Sequence, residues 1–519
     1  MKRENVLSKL DSLEVWDVII IGGGASGLGT AIESVTRGYK TLLLEQHDFT
    51  KGTSSRSTKL VHGGVRYLSQ GNIPLVFEAL RERGFLKKNA PHLVSNLSFL
   101  IPSYSWWSIP FYTIGLTVYD LLAWRLSFGR SKPQTRSKTI AHIPTINKTN
   151  LKGSVLYHDG QFDDSRLGIN MAQTILEKGG VALNYMKVTG FQKTEKKINA
   201  IICKDQETGK EYTIHGNTVV NATGVFVNSI LQKDNPNTKD VVTVSQGVHL
   251  VIDREFLPSS YGLMIPKTKD GRVLFAVPWH NKVILGTTDI EKEVSSLEPE
   301  ATNEEIDFIL ETAGRFLSKK PTRKDVKSVF AGLRPLAAPQ DENESTKEIS
   351  RGHKIHTSRS GLITIIGGKW TTYRQMGEDV IDTMEREKSI QKTHSKTESL
   401  RLYGYQENVN FSDPLYFYGS DTKKINALVK SDNSLKEWIS EELKINKAQV
   451  IWAFRHEMAR TVEDVLARRT RALFLNARES IRIAPKIAQI LAQEYKYDPD
   501  WEIQQVKLFN NVAEKYLLK

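Results

Sequence analysis

An apolar run followed directly by a glycine-rich turn, in the stretch VIIIGGGASGLG, limits how this chain can fold. Residues 18–21 are continuously apolar, as expected for a parallel strand covered on both faces. Three glycines in the spacing G-x-G-x-x-G follow: Gly22, Gly24 and Gly27. They let the backbone approach a pyrophosphate at a helix N-terminus, and Glu45, after the second apolar run, can accept hydrogen bonds from ribose hydroxyls. The pattern predicts a dinucleotide-binding strand–helix–strand unit, with a tight turn that binds no ligand as the alternative.

Two later segments show the same order of apolar run, glycine turn and helical pattern. They are TVVNATGVFVNSI at 218–230 and SGLITIIGGKWTTYRQMGEDVIDTM at 360–384. Three such junctions favour one discontinuous nucleotide-binding domain that is interrupted by insertions. Between residues 231 and 350, strand-like runs such as RVLFAVPWH and KVILGTTDI predict a largely antiparallel second domain.

Charge and cysteine content narrow the classes of function. The 519 residues carry a formal net charge of +13, which favours anionic partners such as acidic lipid or phosphorylated small molecules. The Lys and Arg residues are dispersed without a recognition motif, so we predict no nucleic-acid partner. Cys203 is the only cysteine, which excludes an intrachain disulfide and a cysteine-based metal site. No apolar run reaches the ~18 residues of a membrane-spanning helix, and the first residues lack the features of a secretory signal.

The stretch SSRSTKLVHGGVRYL, residues 54–68, has neither a regular strand pattern nor a regular helix pattern. An NAD-dependent enzyme needs no such segment at this point, whereas an extended FAD molecule would pass along it. Hydroxyl groups could hold the diphosphate and ribityl section, and Gly63 and Gly64 could bring backbone N–H donors close to the flavin ring. The predicted cofactor contacts of this stretch are Ser54, Ser55, Ser57, Lys59, His62, Gly63 and Gly64. An ordinary serine-rich cap and turn is the alternative.

These segments together predict an α/β protein. A discontinuous Rossmann-like FAD-binding domain carries an inserted, largely antiparallel α+β substrate domain and a C-terminal helical domain. The charged stretch EREKSIQKTHSKTES is almost without apolar residues and predicts a linker. The predicted boundaries are 15–90, 150–230 and 351–384 for the FAD-binding domain, 91–149 and 231–350 for the substrate domain, 385–399 for the linker and 400–519 for the helical domain.

Several longer motifs occur in the order found in a known family. From about residue 16 to 380 the chain contains IGGGASGLGTA, TSSRSTKLVHGGVRYL, DDSRL, VVNATG, GVHLVI, VPW with ILGTTD, AGLRPL, ISRGH and IGGKWTTYR. These motifs resemble the FAD-dependent glycerol-3-phosphate dehydrogenases, within the wider glycine-oxidase and D-amino-acid-oxidase type of flavoprotein. The stretch TVEDVLARRTRALFL resembles the family's helical C-terminal domain, so the resemblance spans essentially the whole chain.

The resemblance implies FAD as the cofactor, held noncovalently because no histidine or cysteine shows an attachment motif. Further expected cofactor contacts are Val188, Ala222, Gly224, Gly367, Gly368, Lys369 and Trp370. The chain departs from the family at Trp370, where an aliphatic residue is expected. It also lacks the calcium-loop pattern of the mitochondrial members, so neither calcium nor another metal is expected.

The resemblance also implies a site for glycerol 3-phosphate, which needs cations for the phosphate and a base near the C2 hydroxyl. The expected phosphate contacts are Arg66, Tyr67 and Arg351. The residues expected at the glycerol end are His249, Arg334 and Lys369, with Thr287 and Thr288 as secondary hydroxyl donors. Among these, His249 would accept the hydroxyl proton, and Lys369 would stabilise negative charge on the reduced flavin.

Each of these assignments has a plainer alternative that the sequence leaves open. His249 alternates with apolar residues along a strand pattern, so it could be a structural histidine. Arg334 and Arg351 could be solvated surface charges, and His62 is expected to support the flavin loop rather than to catalyse. Three C-terminal arginines are expected to form one charged face of a helix: Arg468, Arg469 and Arg471.

The implied reaction converts sn-glycerol 3-phosphate to dihydroxyacetone phosphate, with the C2 hydride passing to flavin N5 and the electrons then to a membrane quinone. Oxygen is the competing acceptor, as in the related glycerol-3-phosphate oxidases, whose extra insertion this sequence lacks. An amine or amino-acid oxidase on the same scaffold is another alternative, and a non-catalytic FAD-bound protein is a third. The sequence leaves the formation of a homodimer open.

One aromatic segment bears on localisation. WWSIPFYTIGLTVYDLLAW, residues 106–124, is interrupted by polar residues and cannot span a bilayer. The cations that follow it have no acid among them: Arg125, Arg130, Lys132, Arg136 and Lys138. Aromatic residues beside cations suit the headgroup region of an anionic leaflet, and burial in the core of the second domain is the alternative. We therefore expect a peripheral enzyme on the cytoplasmic face of the cell membrane.

Overall fold

The computed structural model describes residues 3–10, 14–65, 71–268, 271–338 and 352–518. Its strands are β1 Trp16–Ile21, β2 Thr41–Leu44, β3 Leu60–Val61, β4 Val94–Ser103, β5 Lys132–Thr135, β6 Gly153–Phe162, β7 Val181–Leu183, β8 Met186–Thr194, β9 Lys197–Asp205, β10 Glu211–Asn221, β11 Val242–Asp253, β12 Gly262–Ile265, β13 Leu274–Trp279, β14 Lys282–Gly286, β15 Ile290–Lys292, β16 Val326–Ala337, β17 His353–Thr357, β18 Leu362–Gly367, β19 Trp438–Ser440 and β20 Ile445–Asn446.

Its α-helices are α1 Arg3–Leu7, α2 Ala25–Arg37, α3 Ile73–Asn89, α4 Ser108–Ala123, α5 Arg136–His142, α6 Asp164–Glu177, α7 Val227–Asp234, α8 Asn303–Phe316, α9 Tyr373–Glu387, α10 Thr422–Ser431, α11 Lys447–Glu457, α12 Ala472–Leu475, α13 Ala477–Tyr495 and α14 Pro499–Ala513. A π-helix spans Asp464–Arg469, between α11 and α12.

The first sheet has the strand order β17–β18–β10–β1–β2–β7, and β8 and β9 extend it from β10. Parallel pairing joins β1 to β2 and β10, β10 to β18, and β2 to β7. Strand β17 pairs antiparallel with β18 at one edge. Every strand of this sheet comes from a segment that the sequence assigns to the FAD-binding domain, and the buried, continuously apolar β1 lies at its centre.

The second sheet has the order β15–β11–β14–β13–β12–β4–β6–β3, with β16 paired to β11 and β5 paired to β6. Its pairs are antiparallel except for the parallel pair of β12 and β4. Strands β3 and β6 belong to this sheet, although the sequence places their segments in the FAD-binding domain, because β6 pairs along its whole length with β4. The domain boundaries as such remain a prediction.

Helix α2 starts directly at the carboxyl end of β1. Its N-cap, Gly24, offers no side-chain hydrogen bond. A Cβ at Gly27 would lie 1.9 Å from the carbonyl oxygen of Gly22, so only glycine lets the helix begin this close to the strand. The first turn of α2 therefore presents its positive end where the parallel strands terminate.

Buried arginines attach the C-terminal helices to the chain segments that follow β2 and β6. Arg469 donates to the Asp48 carboxylate at 2.9 Å, and Arg468 approaches the same carboxylate at 2.5 Å. Arg471 lies 2.9 Å from a carboxylate oxygen of Asp163. All three arginines are buried, so the prediction of one charged helix face is wrong. The π-helix directs Arg468 and Arg469 towards Asp48. Asp48 lies in the loop after β2, 420 residues before Arg468 in the chain.

Helix α4 presents most of the aromatic segment to solvent. Its inner face buries Leu116, Tyr119 and Ala123. Trp107 is 85% exposed and Leu121 is 69% exposed. The other exposed apolar side chains of the segment are Trp106, Phe111, Ile114, Val118 and Trp124. The alternative that these aromatic and aliphatic residues form part of a core is therefore wrong for the exposed ones. Within the described parts of the chain, no helix is both long and apolar enough to cross a membrane.

Candidate active site

A cavity of about 620 Å³ is lined by residues from both large sheets. The first sheet contributes the carboxyl ends of β1, β10 and β18, the place where open α/β sheets bind ligands. The second sheet contributes β11, β13 and β16. The predicted site residues that line this cavity are Gly22, Gly24, Glu45, Ser54, Ser57, His62, Val188, Ala222, Gly224, His249, Arg334, Gly367, Gly368, Lys369 and Trp370.

Other predicted contacts do not reach this lining. They are Gly27, Ser55, Lys59, Gly63, Gly64, Thr287 and Thr288. The predicted phosphate contacts Arg66, Tyr67 and Arg351 lie outside the described residues. The structure thus brings one predicted catalytic group, His249, Arg334 and Lys369, into the same cavity as the glycine turn.

The glycine turn forms a cradle without room for side chains. A Cβ at Gly22 would lie 2.6 Å from the carbonyl oxygen of Ala222, and a Cβ at Gly24 would lie 3.0 Å from the Ser54 hydroxyl. Gly22 also has a φ of 111°, in the region that favours glycine. The turn therefore offers bare backbone next to the positive end of α2, which suits a pyrophosphate.

Glu45 is fixed by the backbone on both of its carboxylate oxygens. The Gly23 N–H donates to one oxygen at 2.6 Å, and the His47 N–H donates to the other at 2.9 Å. Burial raises the pKa of Glu45 above its ordinary value. Because a carboxylate oxygen has two acceptor sites, each can still accept from a ribose hydroxyl.

Ser54 and Trp370 close the cavity beside the first turn of α2. The Ser54 hydroxyl accepts from the Ala25 N–H at 3.0 Å, and the Trp370 indole donates to the Ser54 carbonyl at 2.8 Å. Trp370 therefore ties the loop after β2 to the glycine turn after β18, a role that an aliphatic residue could not fill. The departure from the family pattern at this position has a structural function.

The buried side chain of Lys59 stabilises the serine-rich loop after β2. Its ammonium donates to both carboxylate oxygens of Asp164 at 2.7 Å and to the Ser55 carbonyl at 2.6 Å. The Ser57 hydroxyl donates to the same carboxylate at 2.7 Å. Lys59 and Asp164 are both fully buried. This ion pair corrects the prediction that Lys59 contacts the cofactor directly, because its cationic head is directed at Asp164.

The backbone N–H of Gly63 also has a partner other than the predicted one. Its backbone N–H donates at 2.7 Å to the hydroxyl of Tyr119 on helix α4. The prediction that this N–H points at the flavin ring is therefore wrong. The neighbouring His62 lines the cavity, and its backbone N–H donates to the Thr371 hydroxyl at 3.3 Å.

His249 lies on β11 and stacks on Phe330 with ring centroids 4.8 Å apart. Its Nε2 is 2.9 Å from the Thr58 hydroxyl. Burial, with the nearby charges of Arg334 and Lys59, lowers the pKa of His249 well below its ordinary value. The imidazole is therefore neutral at physiological pH, the form that can accept a proton.

Arg334 lies on β16 and lines the cavity, and residues 287–289 orient its guanidinium by hydrogen bonds. It donates to the Thr287 hydroxyl and the Thr288 carbonyl at 3.1 Å each, and to Asp289 at 3.3 Å. The Thr288 hydroxyl donates to Glu305 at 2.6 Å. The two threonines are thus placed to orient Arg334 and the end of β14, which corrects their assignment as hydroxyl donors to substrate.

Several residues of the site were missed from the sequence. Thr58 and Asp164 stand inside quoted motifs, so their polar side chains were visible although their partners were not. Asp289 is likewise the last residue of the quoted ILGTTD motif. The contact between Tyr119 and Gly63 could not be recognised from the sequence, because the two residues are 56 positions apart.

Comparison with known proteins agrees with this geometry. A family model described as FAD dependent oxidoreductase matches residues 17–374, and one described as the C-terminal domain of alpha-glycerophosphate oxidase matches residues 363–502. The mitochondrial glycerol-3-phosphate dehydrogenase of Bos taurus is 36% identical over 534 residues, covering 96% of this chain and 73% of that protein. The mitochondrial glycerol-3-phosphate dehydrogenase of Arabidopsis thaliana is 35% identical, with 99% and 88% covered.

The chain belongs to the FAD-dependent glycerol-3-phosphate dehydrogenase family. The FAD complex of the glycerol-3-phosphate dehydrogenase from Bacillus halodurans superimposes with a TM-score of 0.80 at 28% identity, covering 99% of this chain and 98% of that one. Glycine oxidase from Bacillus cereus, at 19% identity and a TM-score of 0.51, shares the fold alone. The predicted family, fold class and FAD cofactor are confirmed.

The cavity of this dehydrogenase-family chain fits FAD on its own geometry. One end has the glycine cradle and the fixed Glu45 carboxylate, which suit a pyrophosphate and a ribose. The other end has Gly367 and Gly368, both with positive φ, where bare backbone can approach a flat ring. These residues and the cationic Lys369 lie along one continuous lining.

Proposed function

We propose that the protein oxidises sn-glycerol 3-phosphate to dihydroxyacetone phosphate with FAD and passes the electrons to a quinone in a membrane. The observation that carries the proposal is one cavity that joins the glycine turn and Glu45 to the group His249, Arg334 and Lys369. FAD, when bound, supplies the acceptor for the C2 hydride. The residues that would hold it are Gly22 and Gly24 at the pyrophosphate, Glu45 at the ribose, and Gly367, Gly368 and Lys369 at the flavin end.

His249 is the proposed acceptor of the C2 hydroxyl proton. Its neutral imidazole has one unprotonated ring nitrogen that can take the proton, and the Thr58 hydroxyl lies 2.9 Å from Nε2. Stacking on Phe330 and burial hold the ring in one orientation. A base held near the reacting hydroxyl contributes about 10²–10⁴-fold to rate.

The cations of the cavity account for a phosphorylated substrate. Arg334, whose guanidinium is held by Thr287 and Asp289, is the proposed cation at the glycerol end of the substrate. Arg66, Tyr67 and Arg351 remain predicted phosphate contacts. An amino-acid oxidase would use a carboxylate clamp instead, and the family membership of the chain disfavours that alternative.

The exposed apolar face of α4 supports the proposal that the electron acceptor is dissolved in a membrane. Phe111, Ile114, Val118 and Leu121 follow one another at helical spacing along its solvent side. The cations after the helix whose side chains are described are all exposed: Arg130, Lys132, Arg136 and Lys138. We infer that α4 docks on the anionic, cytoplasmic leaflet of a membrane, where each such cation contributes about 1 kcal/mol.

Anaerobic reduction tests the reaction. The purified yellow holoenzyme is mixed with glycerol 3-phosphate, with glycerol or with an amino acid, and the flavin absorbance is followed. Bleaching by glycerol 3-phosphate alone supports the proposal, and bleaching by an amino acid contradicts it. The reduced protein is then mixed with a soluble quinone or with oxygen. Fast reoxidation by oxygen together with slow reoxidation by quinone identifies an oxidase.

Flotation with anionic phospholipid vesicles tests the docking. The wild-type protein is expected to float at low salt and to be released at high salt. The double variant Phe111→Ser/Leu121→Ser should stay at the bottom of the gradient. Ile503→Ser, which changes an apolar residue of α14 that is 68% exposed, is the matched control and should float like the wild type. A wild-type protein that does not float contradicts the docking.

A further inference from the structure

Helix α4 has a buried inner face that contacts residues 62–64, the loop that follows β3. Tyr119 on this face is 1% exposed. Its hydroxyl accepts from the Gly63 backbone N–H at 2.7 Å and donates to the Asp159 carboxylate at 2.9 Å. Gly63 directly follows His62, which lines the cavity. The helix with the exposed apolar face is therefore hydrogen-bonded directly to the loop that follows β3.

The contact at Gly63 is too close for any side chain. A Cβ at this position would lie 2.5 Å from Leu80 on α3 and 2.6 Å from the Tyr119 hydroxyl. Glycine is thus required at position 63 by the approach of α3 and α4. Since no side chain separates the loop backbone from these helices, a displacement of α4 is transmitted to the loop.

A buried ion pair fixes the direction of the hydrogen bonds. Arg83 on α3 donates at 2.5 Å to Asp159 on β6, and both side chains are buried. Burial and the Asp159 charge raise the pKa of Tyr119 well above its ordinary value, so its hydroxyl keeps the proton that it donates to Asp159. The Tyr119 oxygen then has lone pairs left to accept from Gly63. A chain of this kind polarises and strengthens each of its bonds.

The same helices and loop share one packing unit. Val76, Leu80, Tyr119 and Ala123 form a buried hydrophobic cluster distinct from the two large cores, with Val65 of the loop packed against it. Val65 lies two residues after Gly63. The position of α4 and the position of this loop are therefore determined together.

We propose that Tyr119 is a positioning residue through which docking of α4 on an anionic leaflet orders His62 at the flavin end of the cavity, together with the adjoining Gly63 and Gly64. The inference rests on the proposed membrane docking and adds a consequence for regulation. Because lipid contacts one face of α4 and Gly63 contacts the other, stabilising the first stabilises the second by linkage. Flavin reduction by glycerol 3-phosphate, which needs no quinone, then becomes faster on lipid.

Hydrogen exchange of the holoenzyme measures this coupling without turnover. The amide exchange of a peptide spanning residues 60–65 is followed with and without vesicles of anionic phospholipid. In the wild type, vesicles should slow this exchange roughly fivefold, the lower end of coupling between two sites. Tyr119→Phe should remove the effect, because it deletes only the hydroxyl. Tyr112→Phe makes the same change two turns earlier on the helix and should keep the effect.

Anaerobic flavin reduction and flotation complete the test. Vesicles should accelerate reduction of the wild type and of Tyr112→Phe but not of Tyr119→Phe, while Tyr119→Phe still floats. A wild type that floats without a change in exchange overturns the coupling and leaves the docking intact, as does a Tyr119→Phe protein that responds like the wild type. A wild type that does not float overturns both. If Tyr119→Phe loses FAD, Phe111→Ser/Leu121→Ser replaces it, and a vesicle effect that persists in this variant overturns the coupling.

Discussion

The Thr58 hydroxyl lies 2.9 Å from Nε2 of His249, across 191 residues of sequence. The contact joins the serine-rich loop after β2 to β11 of the second sheet, so it places the proposed base where the two sheets meet. Both residues line the cavity. Since burial keeps His249 neutral, the hydroxyl orients an imidazole that is ready to accept a proton.

Replacing His249 should slow flavin reduction far more than it alters substrate binding. For His249→Asn we expect the anaerobic reduction rate to fall about 10²–10⁴-fold. Thr58→Val, which keeps the shape and removes the hydroxyl, should lower the rate by a smaller factor because the base itself remains. Stopped-flow reduction measures both, with the exposed His215→Asn as the control. Unchanged kinetics in His249→Asn would leave Arg334, Lys369 or water as the acceptor.

Glu45 should control retention of FAD. Glu45→Ala removes a carboxylate that is available to ribose hydroxyls, and losing hydrogen bonds to a charged group costs about 1.5–3 kcal/mol. The affinity for FAD should therefore fall roughly tenfold or more. Flavin absorbance per protein after extensive dialysis is the measurement, and the exposed Glu211→Ala should retain FAD as the wild type does. Full flavin content in Glu45→Ala would contradict the placement.

The parts that the sequence predicted correctly depend on local patterns. The apolar run and glycine turn predict β1, α2 and the parallel sheet, because their spacing reflects backbone geometry over about thirty residues. The family resemblance grouped His249, Arg334 and Lys369 at the glycerol end, and all three line one cavity, while their roles stay predictions. A short motif can report such residues because their strands and turns are specified locally.

The parts that were missed depend on partners far apart in the chain. Lys59 and Asp164 are 105 residues apart, and nothing in either motif shows that one neutralises the other. Periodicity also assumes an α-helix, whereas Arg468 and Arg469 stand in a π-helix that directs both to Asp48. A sequence pattern shows which residues are charged, but the long-range pairing decides whether a charge is solvated or buried.

Asp48 should therefore be essential for stability. Although burial opposes it, Arg469 and Arg468 lower the pKa of Asp48 below its ordinary value, so the carboxylate is ionised and paired. Asp48→Asn leaves two buried guanidinium groups without that charge, which should cost about 3–5 kcal/mol in the free energy of unfolding. Urea unfolding measures the loss.

The control for Asp48 is an exposed ion pair of the same kind. Glu437, whose side chain is 58% exposed, pairs with Lys447. Glu437→Gln should change the free energy of unfolding by less than about 1 kcal/mol. Equal effects of Asp48→Asn and Glu437→Gln would show that the buried cluster does not hold the C-terminal helices in place.

Stability should also fall in mild acid because of His92. This side chain is fully buried beside Asn170, with Nε2 3.0 Å from the amide oxygen, and burial lowers the pKa of His92 to about 4. In the unfolded chain a histidine titrates near its ordinary value of about 6.5. Between these values the unfolded state binds more protons than the folded state, so the free energy of unfolding decreases as the pH falls.

At 1.36 kcal/mol for each pKa unit, His92 should account for a loss of about 2 kcal/mol between pH 6.5 and pH 5. Urea unfolding of the wild type and of His92→Gln across this range isolates the contribution, since the half-buried His47 and His280, whose pKa values are also lowered, titrate in both proteins. We expect a lower stability at pH 7 for His92→Gln together with a shallower decline on acidification. His394→Gln, at an exposed position, should decline like the wild type. Parallel curves for the wild type and His92→Gln would mean that His92 does not stay neutral in the folded protein.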